Sequence, residues 1–177
     1  MTVPADLQEL DLRGVRARDE TIALDWRHLL VVGASFDGCT FSQRRSGPVL
    51  TTGGVAAQGS LGATGGPSVY RRCRFVGVRF KTLGGFSLGA ARFEDCAFER
   101  CRWNGHFHHD ADLVDCTFAG PMDGCVWQGR SPSGRRNAVT GNDFTGAVIG
   151  ENVGWRSGLD LDAQRWPEDY TPVLGDP

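Results

Sequence analysis

The sequence predicts an all-β fold, a single-domain β-helix with four sides that carries one long loop insertion and a non-repeat C-terminal cap. Three observations predict it. Large apolar residues recur every five positions, a smaller residue stands two places before most of them, and polar residues fill the gaps.

The large positions are Trp26, Val31, Phe36 and Phe41, then Tyr70, Phe75 and Phe80. After a slip over residues 81 to 87 they resume at Leu88, Phe93, Phe98, Trp103, His108, Leu113 and Phe118. The smaller partners are Ala34, Cys39, Ser68, Cys73, Ala91, Cys96, Cys101, Ala111 and Cys116. Weaker copies follow at Cys125 and Trp127, Asn142 and Phe144, and Ala147 and Ile149, with Val139 a marginal member, for about eighteen units in all.

A helix does not explain this period. Five helical residues turn about 500°, which scatters the large side chains around the cylinder. A continuous strand fails too, because residues five apart point to opposite faces. A chain that turns a corner every five residues satisfies the pattern: each unit is a short extended side whose small and large residues, two apart, both point inward. Four sides close a coil, and residues about 20 apart then stack at the strand spacing of roughly 4.8 Å.

Residues 42 to 69, SQRRSGPVLTTGGVAAQGSLGATGGPSV, break the period and form the insertion. Their Gly, Ser, Thr and Ala content supplies little to bury. Residues 119 to 137 interrupt the period again. From about residue 155 the chain leaves the repeat. Leu159, Leu161, Trp166, Tyr170, Val173 and Leu174 are expected to cap the open end or to meet a second copy, and Leu7, Leu10, Leu12 and Val15 to cover the other end.

The period, and above all the run ARFEDCAFERCRW, resembles the pentapeptide-repeat family, whose unit reads A-(D/N)-L-X-X. The resemblance covers about residues 24 to 41 and 68 to 151, in a Phe- and Cys-rich form. It departs from the family pattern in the insertion, in the second interruption and in a unit with His at both inward positions. The resemblance implies a right-handed quadrilateral β-helix. It also implies a protein partner, DNA gyrase or topoisomerase IV, protected from poisons by a solenoid that imitates duplex DNA. By the same resemblance, residues 42 to 69 would be a projecting contact loop and the C-terminal segment a homodimer contact.

The charge pattern modifies that picture. The net charge is −2, yet residues 71 to 102 hold eight basic and three acidic residues. From Asp143 onward there are seven acidic and two basic residues. A DNA mimic would be acidic along its length, whereas this chain is basic in its middle and Arg44 and Arg45 make the insertion basic. Arg74, Arg79, Arg92 and Arg102 each precede a large inward residue and so face outward, with Arg79 and Arg102 as neighbours. Glu94, Asp95 and Glu99 are expected to neutralise much of this band. The expected partner contacts are Arg44, Arg45, Arg79, Arg102, His109 and Asp110.

No chemistry is expected. All six Cys stand two residues before an aromatic, which spreads them along the stack, whereas a zinc site needs four ligands converging on one point. They read as free thiols packed at corners. In HFHHD, His106 and His108 are expected inward and His109 and Asp110 outward, so the four do not share a ligand. LGATGGPS lacks the ending of a phosphate loop. The chain therefore reads as a binding protein, not an enzyme, with no cofactor or metal. Two alternatives are an enzyme or small-molecule binder with a pocket beside the insertion, and a nucleic-acid-binding module using the Arg band. No targeting pattern or apolar run of membrane-spanning length is visible, and a cytoplasmic protein is expected.

Overall fold

The computed structural model describes residues 11–24, 30–43, 59–63, 66–81, 85–109, 111–131, 134–156 and 158–175. They form short strands with no helix, and the strands pair in parallel, coil upon coil. None of their segments is a helix long and apolar enough to cross a membrane. The fold is a parallel β-solenoid with four sides.

The first side begins with Asp11–Arg13, Leu30–Val32, Gly59–Ser60 and Phe86–Ser87. It resumes with residues 107–109, 125–128 and 154–156. The second side stacks Arg16–Arg18, Ser35–Asp37, Val69–Arg71, Arg92–Glu94, Asp112–Val114 and Val139–Thr140. The third carries Thr21–Leu24, Thr40–Gln43, Arg74–Val76 and Ala97–Glu99, then residues 117–118 and Asp143. The fourth stacks Arg79–Phe80, residues 102–104, 121–123 and 147–149.

The five-residue unit works because its last residue turns the corner in the left-handed region. Between the second and third sides, Asp19, Gly38, Arg72, Asp95, Asp115 and Gly141 form one column with φ from 49° to 70°. Each N–H in that column donates to a carbonyl of the next coil at 2.9–3.0 Å, so the ladder continues through the bend. At Gly38 a Cβ would meet the Asp19 carboxylate, which would have to rotate aside, so glycine is favoured there both by space and by φ. Asp tolerates this conformation, while an Arg in it carries backbone strain.

The inward side chains make the core. On the third side Phe41, Phe75, Phe98, Phe118, Phe144 and Trp166 stack with ring centroids 4.5–5.0 Å apart. On the second side Phe36, Tyr70 and Phe93 stack at 5.0 and 4.8 Å. Rings of the two sides meet edge to face, as Phe93 and Phe98 do at 5.6 Å and 61°.

The small positions before the third side form a column of Cys39, Cys73, Cys96 and Cys116, all buried and free. Asn142 takes the next place. Its amide donates to the Leu113 carbonyl at 3.0 Å and to Gln164 Oε1 at 2.9 Å, and its Oδ1 accepts the Cys116 N–H at 3.0 Å. This polar plug ends the thiol column where the C-terminal segment takes over. Arg165 exchanges backbone bonds with Asn142 and Phe144, and that seats Trp166 on Phe144 and against Trp155. Tyr170 accepts the Trp155 indole N–H at 2.7 Å, and Leu159 is buried. Val173 and Leu174 are exposed.

Several boundaries differ from the sequence expectation. The ladder starts at Asp11, with Leu12 and Ile22 in the core, because Ala17 at a large position had hidden the period. Leu12 is thus a row of the helix and not an end cover; Leu7, Leu10 and Trp26 lie outside the described residues. The insertion is shorter than 42 to 69. Ser42 and Gln43 remain on the third side, and Gly59–Ser60 pairs with Leu30 and with Phe86–Ser87, bringing Leu61 into the core. Its middle, 44–58, lies outside the described residues. The slip after Phe80 is closed by Lys81 N–H bonding the Phe86 carbonyl at 3.2 Å, and Phe86 is fully buried. The second interruption shrinks to the excursion after Gln128, since Met122, Cys125 and Trp127 all enter the core.

Two substitutions test this account by denaturant unfolding. Phe98→Ala, in the centre of the stack, is expected to cost about 3–5 kcal/mol. Arg100→Gly, at a corner with φ of 52°, is expected to stabilise by about 0.5–1 kcal/mol, the relief of left-handed strain exceeding the entropy cost of glycine.

Candidate partner-binding face

Outward residues alternate with inward ones, so each row of a side shows solvent a fixed pair of side chains. On the second and third sides, charges in neighbouring rows neutralise one another. Arg18 meets Asp37 at 3.1 Å, Arg72 meets Asp37 at 2.6 Å and Arg71 meets Glu94 at 2.7 Å. Arg92 meets Glu94 at 2.5 Å, Arg74 meets Glu99 at 2.8 Å and Arg135 meets Asp112 at 2.9 Å. The Arg92 guanidinium holds the Glu94 carboxyl below the ordinary range, and Arg74 does the same for Glu99. Most of the Arg band is therefore a solvated, internally paired surface.

The fourth side breaks this rule. Arg79 and Arg102 are register partners in adjacent rows, and no ion pair joins either guanidinium to a carboxylate among the described residues. Lys81 follows two places after Arg79 on the same face. These cations border an open groove of about 350 Å³ lined also by Asn104, Pro121 and Asp123 over the buried Trp103 ring. Asp123 accepts from the Asn152 amide at 3.1 Å. Guanidinium groups stay protonated at any working pH and only donate. The groove is lined by three cationic side chains and one carboxylate.

The insertion departs beside this groove. Gln43 is the last residue of its row, and its Oε1 accepts the Arg79 N–H at 2.9 Å. Arg44 and Arg45 follow it in the chain and lie outside the described residues, as does Asp110.

His109 belongs to a different side. The register pairs Phe107 with Cys125 and His109 with Trp127, one residue out of step with the expectation of His106 and His108 at inward positions. The cause is the register shift between Asn104 and Phe107, where residues 105 and 106 stand opposite Gly124. By its backbone register His109 lies on the first side, and the groove of Arg79 and Arg102 lies on the fourth. Sequence reasoning missed Lys81, Asn104, Pro121 and Asp123, although outward alternation from Arg79 and Arg102 signals the first two. Within the interruption read at 119 to 137, Arg130 and Arg136 form an antiparallel bridge and Arg130 donates to the Gly134 carbonyl at 2.8 Å.

The thiols are chemically quiet. Burial pushes Cys101 and Cys125 up to about 12. The neighbouring Cys116 thiol, in the same column, does the same for Cys96, also to about 12. A thiolate is the reactive form, so thiols held this high are poor nucleophiles. Among the described residues no group of His, Cys, Asp and Glu is arranged to hold a metal ion.

No family model and no curated protein matches this chain. Among solved structures it is similar to that of QnrB1, a plasmid-mediated fluoroquinolone resistance protein. The two are 12% identical with a TM-score of 0.30, over 87% of this chain and 78% of that one.

Two outcomes follow from the site chemistry. Arg102→Glu is expected to raise the thermal midpoint by about 1–2 °C at low salt, the gain shrinking as salt screens it. Stability is expected to hold up to about pH 9 and to fall toward pH 12, because thiols raised in the folded state bind protons that the unfolded chain releases. In a variant with Cys96, Cys101 and Cys125 all changed to Ala, the alkaline fall in denaturant midpoint should be shallower.

Proposed function

We propose, from a fold that is a pentapeptide-repeat solenoid, that this protein is a binding protein whose fourth side docks an acidic surface of a protein partner. One observation carries the reading: Arg79 and Arg102 stand in register, like charge beside like charge, on a scaffold whose second and third sides set Arg against Glu or Asp. Such a pair destabilises the free protein slightly and is relieved by an anionic partner. Gln43 ends its row against Arg79, and Arg44 and Arg45, next in the chain, would add to the same contact.

The partner we name is DNA gyrase or topoisomerase IV, on the resemblance of the repeat to proteins that protect those enzymes. The mode would differ from imitation of DNA, since the engaged side is basic and its target must be an acidic patch of the enzyme. The C-terminal segment, with Val173 and Leu174 exposed beside the last row, would join two copies.

A supercoiling assay with and without a quinolone tests the named partner. Added protein is expected to restore supercoiling in the presence of the drug, and the double variant Arg79→Glu with Arg102→Glu to lose that effect. No change in either inhibition or poisoning would reject gyrase as the partner.

A further inference from the structure

The fourth side is not basic throughout. Its outward residues form a column. Arg79 and Arg102 precede the inward Phe80 and Trp103, which are register partners, and Pro121 precedes Met122, the partner of Trp103. Val148 pairs with Pro121 and is 72% exposed. From the insertion toward the C-terminal end the column therefore reads two cations and then two apolar groups. Beside it, Lys81 flanks the basic half and Asp123 the apolar half.

We infer that this column recognises a short extended segment of the partner that lies along the solenoid axis and presents two carboxylates followed by one apolar side chain. The inference rests on the reading of the fourth side as a docking face and specifies what docks. Four rows at about 4.8 Å place Val148 roughly 14 Å from Arg79. In an extended chain, residues i, i+2 and i+4 share a face and span about 13–14 Å. Carboxylates at i and i+2 reach Arg79, Arg102 and Lys81, and an apolar residue at i+4 settles on Pro121 and Val148.

Asp123 fixes the order, because a carboxylate at the far end would face a like charge. The same feature disfavours a nucleic-acid strand, whose phosphates would continue past the two arginines onto Asp123 and two groups with no charge to offer.

Fluorescence anisotropy on the full chain, with labelled acetyl-Asp-Gly-Asp-Gly-Leu-amide as probe, tests this. Binding is expected to weaken with salt and to fall about tenfold in Arg102→Glu. Replacing the peptide Leu by Gly should weaken binding several-fold, and Val148→Asp should do the same. In the Val148→Asp background the Leu-to-Gly change should matter little.

If neither Val148→Asp nor loss of the peptide Leu changes affinity, the segment is wrong. A DNA duplex that binds where no peptide does overturns it in favour of nucleic acid. If the peptide binds as expected while gyrase is unaffected, the partner is wrong and the segment stands. If gyrase responds to Arg102→Glu but no peptide is distinguished, the docking face stands and the segment falls.

Discussion

Rows of a parallel β-ladder lie about 4.8 Å apart, and that is also a distance at which aromatic rings stack with offset. The rest of this structure depends on that coincidence. A ring at the inward position of one coil finds its counterpart one row away at 4.8 or 4.9 Å, as Phe41, Phe75, Phe98 and Phe118 do. Backbone bonds and ring contacts therefore favour the same register. The corner residue need only turn the chain without disturbing either, which is why Asp, Arg and Gly alternate there at positive φ. The C-terminal segment obeys the same geometry, since Trp166 offers the last ring although it belongs to no repeat unit.

The exterior follows from the same stacking. An outward residue has as its neighbours the residues one row before and after, so charge order along the chain becomes charge order across the surface. On the second and third sides that order alternates, and Glu94 lies between Arg71 and Arg92 as Asp37 lies between Arg18 and Arg72. On the fourth side alternation stops at Arg79 and Arg102. The departure is local and leaves the core untouched, since Phe80 and Trp103 beneath it stay stacked.

Much of the fold was legible because the inward aromatics are large, regular and separated by polar residues. The large positions within Phe36–Phe41, Tyr70–Phe80 and Phe93–Phe118, and the Cys residues two places before five of them, could be read by counting in fives. What could not be read depended on irregular spacing. Phe86 stands off the five-residue beat and Leu61 lies inside the segment read as insertion, and backbone bonds to Lys81 and Ser87 bring them into rows. Ala17 fills a large position with a small side chain, and so the first coil went unseen. The shift between Asn104 and Phe107 moved the His-containing row by one residue against the five-residue count. For the binding face, the adjacency of Arg79 and Arg102 was visible in the period. Pro121, Asp123 and Val148 were not, because they lie in or beyond a stretch where the repeat is weak.

The anchoring of the insertion sets where such a protein is free to diverge. Gln43 leaves from a paired row and Gly59 re-enters the next coil with its N–H on the Gly85 carbonyl at 3.0 Å, so both ends are held by the scaffold. The entropy of closing a loop between fixed ends grows by only about 0.6 kcal/mol for each doubling of its length. Residues between those anchors can therefore be exchanged, lengthened or shortened with little effect on the stacked rings. A lineage built on this frame would be able to lengthen or shorten that stretch of chain while the rows at Gln43 and Gly59 keep their pairing.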